Sequence, residues 1–184
     1  MGYTTDFDGE FIVTPALEPK HRAYLEAFSS TRRMTRDAKQ ASKLPDPLRK
    51  AVGLPIGTDG GYFVGDTEGE GMDAFGQSHT DDITDYNHAP EGQPGLWCQW
   101  HPSELGTAIF AEGEKFYDYI PWLQYLIDNF LTPWGYKLNG EVTWQGEEGS
   151  DQGKIQVKDS KIKVLRAKVT FVEDKPSNRS HGRG

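Results

Sequence analysis

Between positions 114 and 144, apolar residues recur every three or four places: Phe116, Tyr119, Ile120, Leu123, Leu126, Ile127, Phe130, Leu131 and Trp134. That is the period of a helix with one apolar face. Proline fits only the first helical turn, so Pro121 places the regular part at 118–131, with the Asp118 carboxylate as its N-cap. Thr132-Pro133 stops the helix, and Gly135 can take the left-handed conformation that turns the chain away. The period then changes to two. Leu138, Val142 and Trp144 share one parity in 136–145, as a strand with one face on the helix requires. Asn139-Gly140 lies inside that strand and reads as a bulge.

The same patterning extends over the rest of the chain. Phe7, Phe11 and Val13 alternate in a strand at 3–14, with a bulge or bend at Asp8-Gly9. His21, Tyr24, Leu25 and Phe28 predict a shorter helix at 18–29. Residues 38–50 hold another turn or two of helix, broken by Pro45 and Pro47. A hairpin joins 96–101 to 107–111, and two further strands lie at 154–158 and 161–171, the last with a bulge near Leu165 that reconciles its two parities. The expected fold is α+β: one domain, 1–172, with a mostly antiparallel sheet and the long helix packed on one face. Residues 173–184 are polar and read as a disordered tail.

Between the second proline and the hairpin, 57–95 shows little periodicity and many glycines and acids. So long a loop in a compact domain is either functional or mobile. Charge sharpens this picture. The chain of 184 residues carries a net charge of -8, but 18–50 hold nine Lys or Arg against four acids, whereas 51–100 hold nine acids and no Lys or Arg. The cations of Thr31-Arg32-Arg33-Met34-Thr35-Arg36 read as the favourable charge at a helix C-terminus, with an anion site as the alternative. The acidic total opposes non-specific binding to nucleic acid. No apolar run reaches 18 residues and the first residues lack a signal-peptide pattern, which predicts no membrane association and a cytoplasmic protein. A single cysteine, Cys98, fits a reducing compartment.

Candidate chemistry gathers around the acidic loop. His79, His88, Cys98 and His101, with Asp81, Asp82 and Asp85, are residue types that hold zinc or iron, but their spacing matches no closed metal motif. Cys98 with His88 or His101 would be a nucleophile and base if the side chains met. The glycines of 57–65 lack the Lys and Ser/Thr of a P-loop. No cofactor is therefore assigned. Indoles mark either aromatic cores or the centres of binding surfaces. Trp134 and Trp144 read as core, Trp122 lies off the main stripe, and Trp97 and Trp100 cannot both face inward from a flat strand. The candidate surface is Asp81, Asp82, Asp85, Tyr86, Trp97, Trp100 and His101, its acids exposed and its aromatics anchoring a basic protein partner. An enzyme built on the His/Cys group is the alternative, and a DNA mimic ranks third.

Met1-Gly2-Tyr3-Thr4-Thr5-Asp6-Phe7, Gly61-Tyr62-Phe63-Val64-Gly65, Gln93-Pro94-Gly95-Leu96-Trp97-Cys98-Gln99-Trp100 and Pro133-Trp134-Gly135-Tyr136-Lys137-Leu138-Asn139-Gly140-Glu141-Val142 are the segments through which the chain resembles an uncharacterised family of small bacterial and phage proteins. Pro121 departs from that pattern. The resemblance implies a bacterial or phage source and no particular chemistry; the acidic block beside aromatics is what suggests a binder, in a phage one that acts on a host protein.

Overall fold

A computed structural model describes residues 2–66 and 80–176. The chain runs β1 (Thr5–Thr14), α1 (Pro19–Ser30), β2 (Thr35–Arg36), α2 (Ala38–Ala41), α3 (Pro47–Ala51), a 3-10 turn (Thr58–Gly60), β3 (Ile83–Asp85), β4 (Trp100–Pro102), β5 (Ala108–Ala111), α4 (Tyr119–Leu126) continued by a π-helical turn (Ile127–Leu131), β6 (Lys137–Gly146), β7 (Gln152–Lys158) and β8 (Lys161–Arg166). Six strands form one sheet in the order β4-β5-β1-β6-β7-β8, and every neighbouring pair is antiparallel. The fold is thus α+β with an antiparallel sheet. β2 and β3 form a separate two-stranded sheet. No helix among the described residues is long and apolar enough to cross a membrane.

The helix expected over 118–131 is less regular than its sequence period. Only Tyr119–Leu126 is α-helical, shorter than the 12 residues of α1, and from Ile127 the spiral widens, with Thr132 N–H bonding to the carbonyl of Ile127. Apolar recurrence reports which face is buried, not whether a turn has four or five residues, so the widening left no mark in it. Asp118 does not cap the helix through its side chain but sits in the left-handed region at φ 55°. The far end follows expectation: Gly135 has φ 86°, and Tyr136 N–H returns to the carbonyl of Leu131.

One face of the sheet, carrying Phe11, Val13, Leu138, Val142, Trp144, Ile155 and Val157, packs with α1 and α4 into the core. Alternate residues such as Asp6, Asp8, Glu10 and Lys154 are exposed. Burying an apolar side chain of this face, such as Phe11, Leu138 or Val142, contributes roughly 1.5–3 kcal/mol. The bulges expected at Asp8-Gly9, Asn139-Gly140 and Leu165 are not present, because the registers of β1 on β6 and of β7 on β8 run without a shift. Gly9 (φ 103°) and Gly140 (φ 141°) instead let these strands approach closely: a Cβ on Gly140 would lie 2.8 Å from the carbonyl oxygen of Glu10. The two parities of the last strand are resolved by its end. Ile162 and Val164 pack toward the core, β8 stops at Arg166, and Val169, Phe171 and Val172 are exposed. Of the tail expected at 173–184, residues 177–184 lie outside the described residues.

The indoles also depart from expectation. Trp122, off the stripe, is fully buried, because α1 covers a second side of α4 and brings Phe28 against the indole at 5.9 Å. Trp134 is half-buried, stacked on the His21 ring at 4.1 Å, whereas Trp144 is core as read.

Candidate functional site

The arginines after α1 do not serve its C-terminus. They point into the long loop and hold it. Arg33 is buried, lies over the Phe28 ring at 4.2 Å, and donates through Nη2 to the carbonyls of Gly61 and Phe63 and through Nε to Gln93. Burial lowers its pKa to about 10, still far above neutrality, so a cation stays locked in the interior. Arg36 donates to Asp82 at 2.6 Å, with both side chains 2% exposed, and lies over the Phe63 ring. Asp46 holds the same loop from another side. It accepts from Arg49 and from the N–H groups of Val64 and Gly65, and burial raises its pKa although these donors oppose the rise.

These contacts redistribute the residues first assigned to a partner surface. Asp81 is exposed, but Asp82 is buried in the Arg36 ion pair and is withdrawn from any contact surface. Trp100 is likewise withdrawn: it is fully buried, edge-on to Phe7 and Phe116, and its Nε1–H donates to the Tyr119 carbonyl at 2.7 Å. Trp97, outside β4, is half-buried. Asp85, whose pKa is lowered by the N–H of Asn87 and by His88, lies beside the exposed Tyr86, and Arg32 donates to the Tyr86 carbonyl. His101 is half-buried and faces Glu26 on α1 at 3.3 Å. Asp81, Asp85 and Tyr86 therefore share the small β2–β3 lobe, while His101 belongs to α1 and the main sheet.

His79 lies outside the described residues. His88 is exposed against Asp85, and Cys98 is buried, with Ser29 Oγ rather than an imidazole at its sulfur. Burial pushes the Cys98 thiol up to about 12, which leaves almost no thiolate near neutrality. Among the described residues, no group of three or more His, Cys, Asp or Glu could hold a metal ion.

An open cleft of about 600 Å³ lies where the loop meets the helix. One wall is the outer stripe of α4 and its π-helical turn, with Pro121, Gln124, Tyr125, Asp128 and Asn129 at helical spacing. The facing wall comes from Gly57, Thr58, Gly61 and Tyr62, and from Glu91, Gly92 and Pro94. Hydrogen bonds set its aromatics. Tyr62 Oη lies 3.0 Å from Asn129 Oδ1, and Gln93 Nε2 bridges the Gly61 carbonyl and Tyr125 Oη. Asp59, in the left-handed region, accepts the Glu91 N–H at 3.0 Å and ties the two loop strands together. Burial raises the Tyr125 pKa to about 12, so its hydroxyl remains neutral. Glu91 and Asp128 are exposed, and the described residues lining the cleft include no Lys or Arg.

The cleft is not apparent from the apolar period of the sequence, because that period marks the opposite, buried face of the helix. The positions 121, 124, 125, 128 and 129 form a second stripe of the same period, mixing proline, tyrosine, a carboxylate and two amides, which is the signal the sequence holds. Comparison with protein-family models, curated proteins and solved structures finds no match to this chain.

Proposed function

We propose that this is a protein-binding module of the cytoplasm that takes a basic segment of a partner protein in the cleft between the 57–61 and 91–94 loops and α4. The observation that carries this reading is a cleft with two exposed carboxylates, Glu91 and Asp128, with Tyr62 and Tyr125 in its lining and no Lys or Arg among the described residues that line it. An arginine or lysine side chain against the ring of Tyr62 or Tyr125 would gain contact worth about 0.5–2 kcal/mol, and carboxylates beside it would fix its charged end. The Arg33 and Arg36 anchors support the reading, since they hold the loop in place before a partner arrives, which lowers the ordering cost of binding. Asp81 and Asp85, exposed or half-buried on the neighbouring lobe, would steer a basic partner rather than hold it. The partner in this reading is a host protein, and the source a phage or a bacterium.

Calorimetric titration with an arginine-glycine repeat peptide tests the reading. The wild type should bind, and Glu91→Gln/Asp128→Asn should weaken binding by about tenfold or more with an unchanged melting temperature. Equal affinity of the two proteins, or no binding by the wild type, would refute the assignment.

A further inference from the structure

The C-terminal hairpin carries the charge opposite to the rest of the chain. Residues 154–168 contain Lys154, Lys158, Lys161, Lys163, Arg166 and Lys168 against Asp159 alone, a local +5 in a chain of -8. All six cations are exposed. The hairpin is also where the sheet ends, since β8 is its last strand.

The bond from Ala167 N–H to the Gln152 carbonyl, at 2.8 Å, sets the hydrogen-bonding phase of that edge. With the register Lys154↔Leu165 and Gln156↔Lys163, the two-residue repeat of an antiparallel ladder turns Lys161, Lys163, Leu165 and Ala167 toward β7. The N–H and C=O groups of Ile162, Val164 and Arg166 then point outward. Side chains alternate the other way, between faces. Ile162 and Val164 extend the apolar face of the sheet, and Lys161 and Lys163 stand on the opposite one.

A second copy of this chain is a poor occupant, because pairing β8 with itself would bring two lysine rows together, and like charges on adjacent strands are destabilising. A strand alternating carboxylates with apolar residues matches both faces at once. Its acids would lie beside Lys161 and Lys163, and its apolar residues would lengthen the row of Ile162 and Val164. We infer that the β8 edge accepts an acidic, extended segment of another protein as a seventh strand of the sheet. This surface is separate from the cleft in place and opposite in charge, so the two would take different partners.

The test is amide hydrogen exchange on 15N-labelled protein, with three polyanions as probes: an alternating Glu-Val octapeptide, a Glu-Pro octapeptide of equal charge that lacks alternate backbone donors, and a single-stranded oligothymidine. The Glu-Val peptide should slow exchange at Ile162, Val164 and Arg166 by about tenfold or more at saturation, and neither other probe should. Lys161→Glu/Lys163→Glu, with an unchanged circular dichroism spectrum, should lose at least about tenfold in affinity for that peptide. Three outcomes would overturn the inference: no binding by the Glu-Val peptide, equal effects from all three polyanions, or tighter binding of oligothymidine with the three amides unprotected.

Discussion

Neutralising Asp82 and neutralising its neighbour Asp81 should have very different consequences, although sequence alone treats the two as equivalent loop acids. Asp82 and Arg36 form an ion pair at 2.6 Å with both side chains 2% exposed, and Asp37 N–H bonds to the Asp82 carbonyl at 2.7 Å. Asp82→Asn takes the carboxylate out of this buried ion pair, and breaking such a pair from one side costs about 3–5 kcal/mol. At about 2–4 °C per kcal/mol for a chain of this size, the melting temperature should fall by about 6–20 °C. Asp81→Asn removes an exposed charge and should stay within about 0.5 kcal/mol of the wild type. Arg36→Met/Asp82→Leu removes both charges together and should recover much of the loss. Urea denaturation of the four proteins measures the difference, with hydrogen exchange at the Asp37 amide reporting whether the loop detaches first. Asp82→Asn no less stable than Asp81→Asn would show that the pair does not anchor the loop.

Three further outcomes follow from buried or crowded groups. Cys98, with its thiol pushed up to about 12, should resist a thiol reagent at pH 8 in the native protein and react fully in denaturant. The His21 imidazole, whose pKa is lowered mainly by burial, has Nδ1 at 2.7 Å from Tyr136 Oη, which in turn accepts the Glu18 N–H. The unfolded chain therefore binds a proton that the folded one does not, so the His21 contribution is present above about pH 6.5 and is lost as the pH falls below it. His21→Gln should flatten that acid limb in thermal melts taken across pH 5–8. Gly153→Ala would place a Cβ against the Leu165 carbonyl and the Trp144 ring, and should destabilise by about 1–3 kcal/mol in chemical denaturation.

Much of the fold was legible because burial on one face imposes a period. The strands around Leu138, Val142 and Trp144, the β4–β5 hairpin and the Asp159-Ser160 turn, both of whose residues have positive φ, all announce themselves locally. What escaped depends on long-range partners. Nothing local distinguishes Asp82 from Asp81; the buried Asp82 pairs with Arg36, 46 positions away, and Asp81 is exposed. Arg33 looked like a helix-end cation because its acceptors, the carbonyls of Gly61 and Phe63, carry no sequence signature. Trp122 seemed misplaced on a one-faced helix, and became core once α1 supplied a second face. Of the residues expected on a partner surface, Asp81 and Tyr86 are exposed, while Asp82 and Trp100 are buried by contacts that their neighbours in sequence do not announce.

The most direct measurement of the proposed binding is chemical-shift mapping of 15N-labelled protein titrated with the arginine-glycine peptide. The amides that move with a saturable concentration dependence should be those of Tyr62, Gly92, Tyr125, Asp128 and Asn129, flanking the cleft on both sides, with smaller shifts at Asp81 and Asp85. Shifts confined to the β2–β3 lobe, or spread over all exposed acids without saturation, would contradict a binding site in the cleft.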